Sequence, residues 1–173
     1  MSDYKTLKGM TLLIQTKEIR DFVDSFLNEN VPEYFQTIPA SSTGKYHPAY
    51  SLGEGGLVRH TIATVKLLHH MTNLDFIKER FQQVEIDKMI AAAILHDTFK
   101  QGLNSYGHSV KNHEVVAAEQ INEALSMEDA EISRLVSTHM GQWGAKHPSQ
   151  LDEFLVHLAD YLASRKNIAV DVS

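Results

Sequence analysis

Ten histidines in 173 residues are the chemically conspicuous feature of this chain. Adjacent His96 and Asp97 close the run Met89-Ile-Ala-Ala-Ala-Ile-Leu95, and Lys100 follows three residues on. Isoleucine, leucine and alanine at that density imply burial, and a buried carboxylate needs a partner. A divalent metal is one such partner, because imidazole nitrogen and carboxylate oxygen are both ligands for transition ions. Taken alone, the segment reads equally well as a helix that ends and exposes two polar residues.

The other polar residues on apolar stripes shift that balance. His60 shares a helix face with Leu57, Thr64, Leu67 and Met71. His113 aligns with Val116, Ala117, Ile121 and Ala124, and His139 with Ile132, Leu135 and Val136. Asp160 sits inside Leu158-Ala-Asp-Tyr-Leu162, apolar almost all round. Any one of these is ordinarily a satisfied core residue. Six of them converging on one interior without a metal is a costly arrangement, so the set reads as a metal site. His69 and His70 lie about 14 Å along the helix from His60 at 1.5 Å per residue, too far to share an ion. His157, one turn from Asp160, reads as an outer partner of a ligand. His47, His108 and His147 fall in loops.

Helices must position these residues, and the apolar spacing supplies them. Lys17–Asn28, Leu57–Met71, Glu85–Asp97, Val110–Leu125, Glu128–Met140 and Leu151–Arg165 read as helices, with shorter ones near Glu33–Gln36 and Asp75–Phe81. Residues 31–56 hold three prolines and four glycines and read as one long functional loop. Thr98–Ser109 and Gly141–Ser149 read as loops beside the histidines. No alternating strand pattern appears. The expected fold is all-α, a single bundle of roughly six to eight helices over 17–173, with residues 1–16 an unassigned arm or short strand.

Composition removes several classes. Cysteine is absent, which excludes disulfides, thiolate zinc sites and cysteine nucleophiles and fits a reducing compartment. No apolar run approaches membrane-spanning length and Met1–Met10 lacks a signal-peptide core, so the expectation is a cytoplasmic chain with no membrane partner. With 16 basic and 22 acidic residues the net charge is −6, which disfavours non-specific duplex binding. Gly44-Lys45 is not a phosphate-binding loop, because Tyr46 replaces its hydroxyl residue and Pro39 its first glycine. No Gly-x-Ser-x-Gly elbow occurs.

The ordered set His60, His96-Asp97 and Asp160 resembles the signature of the HD-domain superfamily of metal-dependent phosphohydrolases, over about Tyr46 to Arg165. His113 and His139 match the extra histidines of its dinuclear members. Tyr46-His-Pro-Ala-Tyr, Gly56-Leu-Val-Arg-His-Thr, Asn112-His-Glu-Val-Val-Ala and Ser137-Thr-His-Met-Gly-Gln resemble the HD domain of bacterial 3′–5′ exoribonucleases. Those enzymes carry an N-terminal OB-fold, which the residues before Lys17 are too few to form. Phe99 stands where many relatives have glycine, implying altered access beside the site. One histidine, His139, stands where many relatives have two.

The resemblance implies one ion held by His60, His96, Asp97 and Asp160, and a second by His113 and His139, with Asp97 bridging. One or two divalent ions (iron, manganese, cobalt, nickel or zinc) fit nitrogen and oxygen donors without sulfur. The implied reaction is hydrolysis of a nucleotide, dinucleotide or short oligonucleotide by a metal-activated water. Asp97 and Lys100 would be catalytic. Lys45, His47, Trp143, Lys146 and Arg165 are the candidates for holding substrate, Trp143 by stacking on a base. Two other classes share the ligand pattern: a di-iron oxygenase of a small organic substrate, and a non-catalytic metal-binding regulator.

Overall fold

A computed structural model describes residues 3–125 and 130–173. Eight α-helices run through them: α1 (Asp3–Gly9), α2 (Lys17–Glu29), α3 (Gly56–Thr72), α4 (Asp75–Lys78), α5 (Gln83–Leu95), α6 (His113–Ala124), α7 (Ala130–Thr138) and α8 (Leu151–Ala163). Short 3-10 turns cover Met10–Leu13, Glu33–Gln36, Ala49–Ser51 and Gly141–Trp143. No strand occurs among the described residues, so the protein is all-α as expected. Nor is any helix there long and apolar enough to cross a membrane.

Helix α3 is the central column, packed on α8, α5 and α1. The apolar residues of α5 from Met89 to Leu95 are all buried, so this helix is covered on every side and carries its chain end into the interior. Helices α6 and α7 form a hairpin, and α7 also packs on α5. Buried Asp87 fastens α5 to the start of α2 by accepting Thr16 N–H and Thr16 Oγ1–H, each at 2.7 Å. Gly56 opens α3 where the chain approaches closely: a Cβ there would collide with the Ser51 carbonyl.

Several boundaries differ from expectation, three of them near the core or the histidines. Residues 3–13 are helical instead of a loose arm or strand, because Leu7 and Ile14 are wholly buried in the common core. Arg59 adds to this anchorage, pairing with Asp3 at 2.6 Å while donating to the Tyr50 and Leu52 carbonyls. Helix α5 ends at Leu95, so His96 and Asp97 lie in the turns just beyond it. Helix α6 begins at His113 and not at Val110, because Asn112 adopts a left-handed conformation (φ 62°, ψ 33°) that interrupts the helix. The expected start of the next helix at Glu128 lies outside the described residues.

Candidate metal centre

Five chain segments deliver the six expected residues to one interior point. His60 comes from the first turns of α3, and His96 and Asp97 from the turn after α5. His113 is the first residue of α6, His139 follows α7, and Asp160 lies on α8. His60, His96, Asp97 and His139 are nearly inaccessible, and His113 is buried at 6% exposure. Three overlapping trios have donor atoms mutually within 4.8 Å: His60, His96 and Asp97; His96, His139 and Asp160; Asp97, His113 and His139.

The two oxygens of Asp97 face different neighbours. Oδ2 lies 3.8 Å from His60 Nε2 and 3.5 Å from His96 Nε2. Oδ1 lies 3.0 Å from His113 Nε2 and 3.7 Å from His139 Nε2. Asp160 Oδ1 sits 2.9 Å from His60 Nε2 and 3.7 Å from His96 Nε2. Asp97 therefore lies between two groups of possible donors.

Backbone contacts set which nitrogen of each ring faces inward. His96 Nδ1 lies 2.8 Å from the Ala93 carbonyl, His139 Nδ1 2.8 Å from Val136, and His113 Nδ1 3.3 Å from Val110. Each Nδ1 can donate only as N–H, which leaves a lone pair on Nε2. Those three Nε2 atoms, together with Asp97 Oδ1, are buried without a hydrogen-bond partner. Four partnerless polar atoms turned on one point would be costly in a finished core, so the donors fit a divalent ion.

The carboxylates stay ionised. Burial by itself would raise Asp97, but the Lys100 ammonium, His96 and the adjacent His113 and His139 rings outweigh it and hold its pKa well below the usual range. Burial also opposes Asp160, and the hydrogen bond from His60 with nearby His96 lowers it nonetheless. Lys100 Nζ donates to Asp97 Oδ2 at 2.5 Å. Burial first, then His60 and Lys100, lowers His47 to about 4, so its imidazole is neutral at pH 7.

A cavity of about 330 Å³ opens onto this cluster and includes Asp97, Lys100, His113 and Asp160 in its wall. That is the size of a small-molecule site. Of the candidates for holding substrate, His47, Trp143 and Arg165 line it. Lys45 and Lys146 do not. The Lys45 ammonium lies over the Tyr46 ring at 5.0 Å. Beyond the 3-10 turn Gly144 is extended (φ −90°, ψ 175°), which carries the chain away and places Lys146 in a separate cavity beside Arg134 and Glu153. Phe99 also differs from expectation: it packs edge-on against Phe26 in the core and does not line the cavity. His69 and His70 stand apart at the far end of α3.

Sequence reasoning missed Tyr161, which lines the cavity between His157 and Arg165. The signal was available, since residues 157, 161 and 165 follow one i, i+4 row. His157 Nδ1 contacts the His139 carbonyl at 2.7 Å. Gly141, at φ 57°, permits this, because a Cβ there would run into the His157 ring. Buried Glu114 was also missed; it accepts the Ala145 N–H at 2.8 Å and ties the Trp143 loop to α6.

An all-helical bundle focused on histidines and two aspartates defines a class, and the chain belongs to it: the HD domain family model matches residues 57–165. Within that class it is similar to the dihydroneopterin 2′,3′-cyclic phosphate phosphodiesterase of Methanocaldococcus jannaschii. Identity is 28% over 142 residues, covering 77% of this chain and 55% of that protein. The chain thus spans about half the length of that relative. No solved structure matches it significantly.

Proposed function

We propose that this chain is a metal-dependent phosphodiesterase of small phosphorylated molecules that carry a heterocycle: a nucleotide, a cyclic or linear dinucleotide, a very short oligonucleotide, or a pterin cyclic phosphate. The observation that carries the reading is the divided Asp97 carboxylate, with partnerless imidazole nitrogens on its Oδ1 side and a cavity at its edge. Under this reading His60, His96, Asp97 and Asp160 hold one ion, and Asp97, His113 and His139 the other. Iron, manganese, cobalt, nickel or zinc suits these donors. Ions held there supply Lewis acidity toward the phosphoryl oxygens and toward water.

The chain's own groups do the rest. Asp97 and Asp160 remain anionic and keep the ions in place. Lys100, already at the cavity wall, turns its ammonium to a phosphate oxygen. Neutral His47 offers a hydrogen bond without adding charge. Similarity to a cyclic phosphate phosphodiesterase supports phosphodiester chemistry over the oxygenase alternative.

The test is elemental analysis of the purified chain, followed by anaerobic assay of metal-loaded protein on 2′,3′-cyclic phosphates of nucleosides and of dihydroneopterin. Transition metal in the protein and cleavage without oxygen are expected. Metal-loaded protein that cleaves none of these esters but consumes oxygen would overturn the proposal.

A further inference from the structure

Beyond the reacting groups, the cavity carries an aromatic wall. The Trp143 ring lies parallel to Tyr161, with centroids 5.9 Å apart and planes 8° from coplanar. The Arg165 guanidinium sits 4.3 Å from the Tyr161 centroid. Tyr161 is fixed on α8 and Arg165 stands two residues beyond its end, and the loop bearing Trp143 is pinned by Glu114 and by the approach of Gly141 to His157. Trp143 nevertheless remains 58% exposed. A backed tryptophan with so much open surface, in the wall of a cavity, is a stacking platform in need of a planar partner.

The rest of the wall decides what kind of partner. Among the described residues its carboxylates are Asp97 and Asp160, both committed to the histidine cluster, and no asparagine or glutamine lines it. Apart from these carboxylates, its histidines, its cations and the aromatic pair itself, the wall's polar side-chain groups are the hydroxyls of Ser41, Ser42, Ser109 and Ser164. A hydroxyl rotates and serves as donor or acceptor, so it fits either arrangement of polar atoms on a ring edge. Selective reading of an amino-and-amide edge by side chains requires a fixed acceptor pair, and no uncommitted carboxylate or side-chain amide of this wall supplies one.

Resting on the phosphodiesterase reading, we infer that Trp143, backed by Tyr161 and Arg165, forms a ring subsite that selects substrates by stacking area and not by edge pattern. Bicyclic heterocycles bind best, one-ring bases less well and ringless esters poorly. Adenine-type and guanine-type rings are accepted alike.

Trp143 is the chain's single tryptophan, so its fluorescence reports the platform directly. As-purified protein is titrated with phosphonate analogues of adenosine, guanosine and cytidine 5′-monophosphate, and of ribose 5-phosphate. Saturable quenching is expected with the three nucleotide analogues, and purines should bind about tenfold more tightly than the ribose analogue, a ratio that base–aromatic stacking supports. Adenosine and guanosine should fall within about threefold of each other, for want of a fixed edge reader. Tyr161→Leu should weaken purine binding and leave the ribose analogue alone. In hydrolysis, Trp143→Ala should raise KM for purine esters with kcat little changed, and Trp143→Phe should restore most of the loss.

Equal binding of ringless and purine analogues would overturn the subsite. So would a tenfold preference between the two purines, or a concentration-dependent shift of Trp143 emission showing that a second copy covers it. The readouts separate the two proposals: the predicted order of quenching without cleavage of any phosphodiester removes the phosphodiesterase and keeps the subsite, while cleavage without that order does the reverse.

Discussion

Asp97 is the residue on which the candidate centre turns, since each of its oxygens faces a different pair of imidazoles. Its low pKa keeps it charged, and a charged carboxylate buried among four histidines and a lysine is stable only while those partners remain. Asp97→Ala is expected to lose most bound metal and all hydrolysis, because both donor groups lose their shared ligand. His70→Ala, at the remote end of α3, should retain the parent's metal content. Elemental analysis of the two proteins side by side checks this contrast, and equal metal in both would refute the bridging role.

At the scale of elements, the start of α8 carries a device that holds Asp160 and Tyr161 in place. Glu153 accepts the Ser149 and Gln150 N–H groups at 2.7 and 3.0 Å, and Arg134 of α7 donates to it at 2.7 Å. Arg134 also pairs with Asp152 at 2.5 Å, so α7 and α8 are joined where both begin their approach to the centre. Burial by itself would raise the Glu153 pKa, but these donors lower it overall. A carboxylate with a depressed folded pKa adds stability above its unfolded value, about 4.3, and that stability is lost as pH falls through the folded value. Glu153→Gln should therefore cost about 1–2 kcal/mol at pH 7, the scale of a lost helix cap. Its deficit against the parent should shrink as pH drops below about 4.3. Denaturant unfolding at pH 7 and at successively lower pH measures both effects; a deficit constant with pH would dismiss the charged cap.

For the molecule as a whole, cavity size and net charge point the same way. A cavity of about 330 Å³ and a chain of charge −6 suit a compact phosphorylated substrate better than a long polyanion. Catalytic efficiency on single-stranded oligonucleotides should peak at one to three nucleotides, a length of roughly one small-molecule cavity. A steady rise beyond about ten nucleotides, the span of a strand-binding groove, would contradict that expectation.

What was legible in the sequence is what depends on periodicity. The helical stripes placed His60, His113, His139 and Asp160 on core-facing positions, and the short helix at Glu33–Gln36 was visible between its flanking breaks. Burial of an apolar run is a property of composition, so His96 and Asp97 were destined for the interior wherever their helix packed. Side-chain direction in loops has no such period. Lys45 and Lys146 read as candidates for holding substrate and Phe99 as altering access beside the site, yet turn geometry at Gly144 and packing on Phe26 sent two of them elsewhere. The burial of Leu7 against α3 and the meeting of Trp143 with Tyr161 depend on contacts between residues distant in the chain. Local sequence determined which residues face inward; only the packing of helices decided which of them meet.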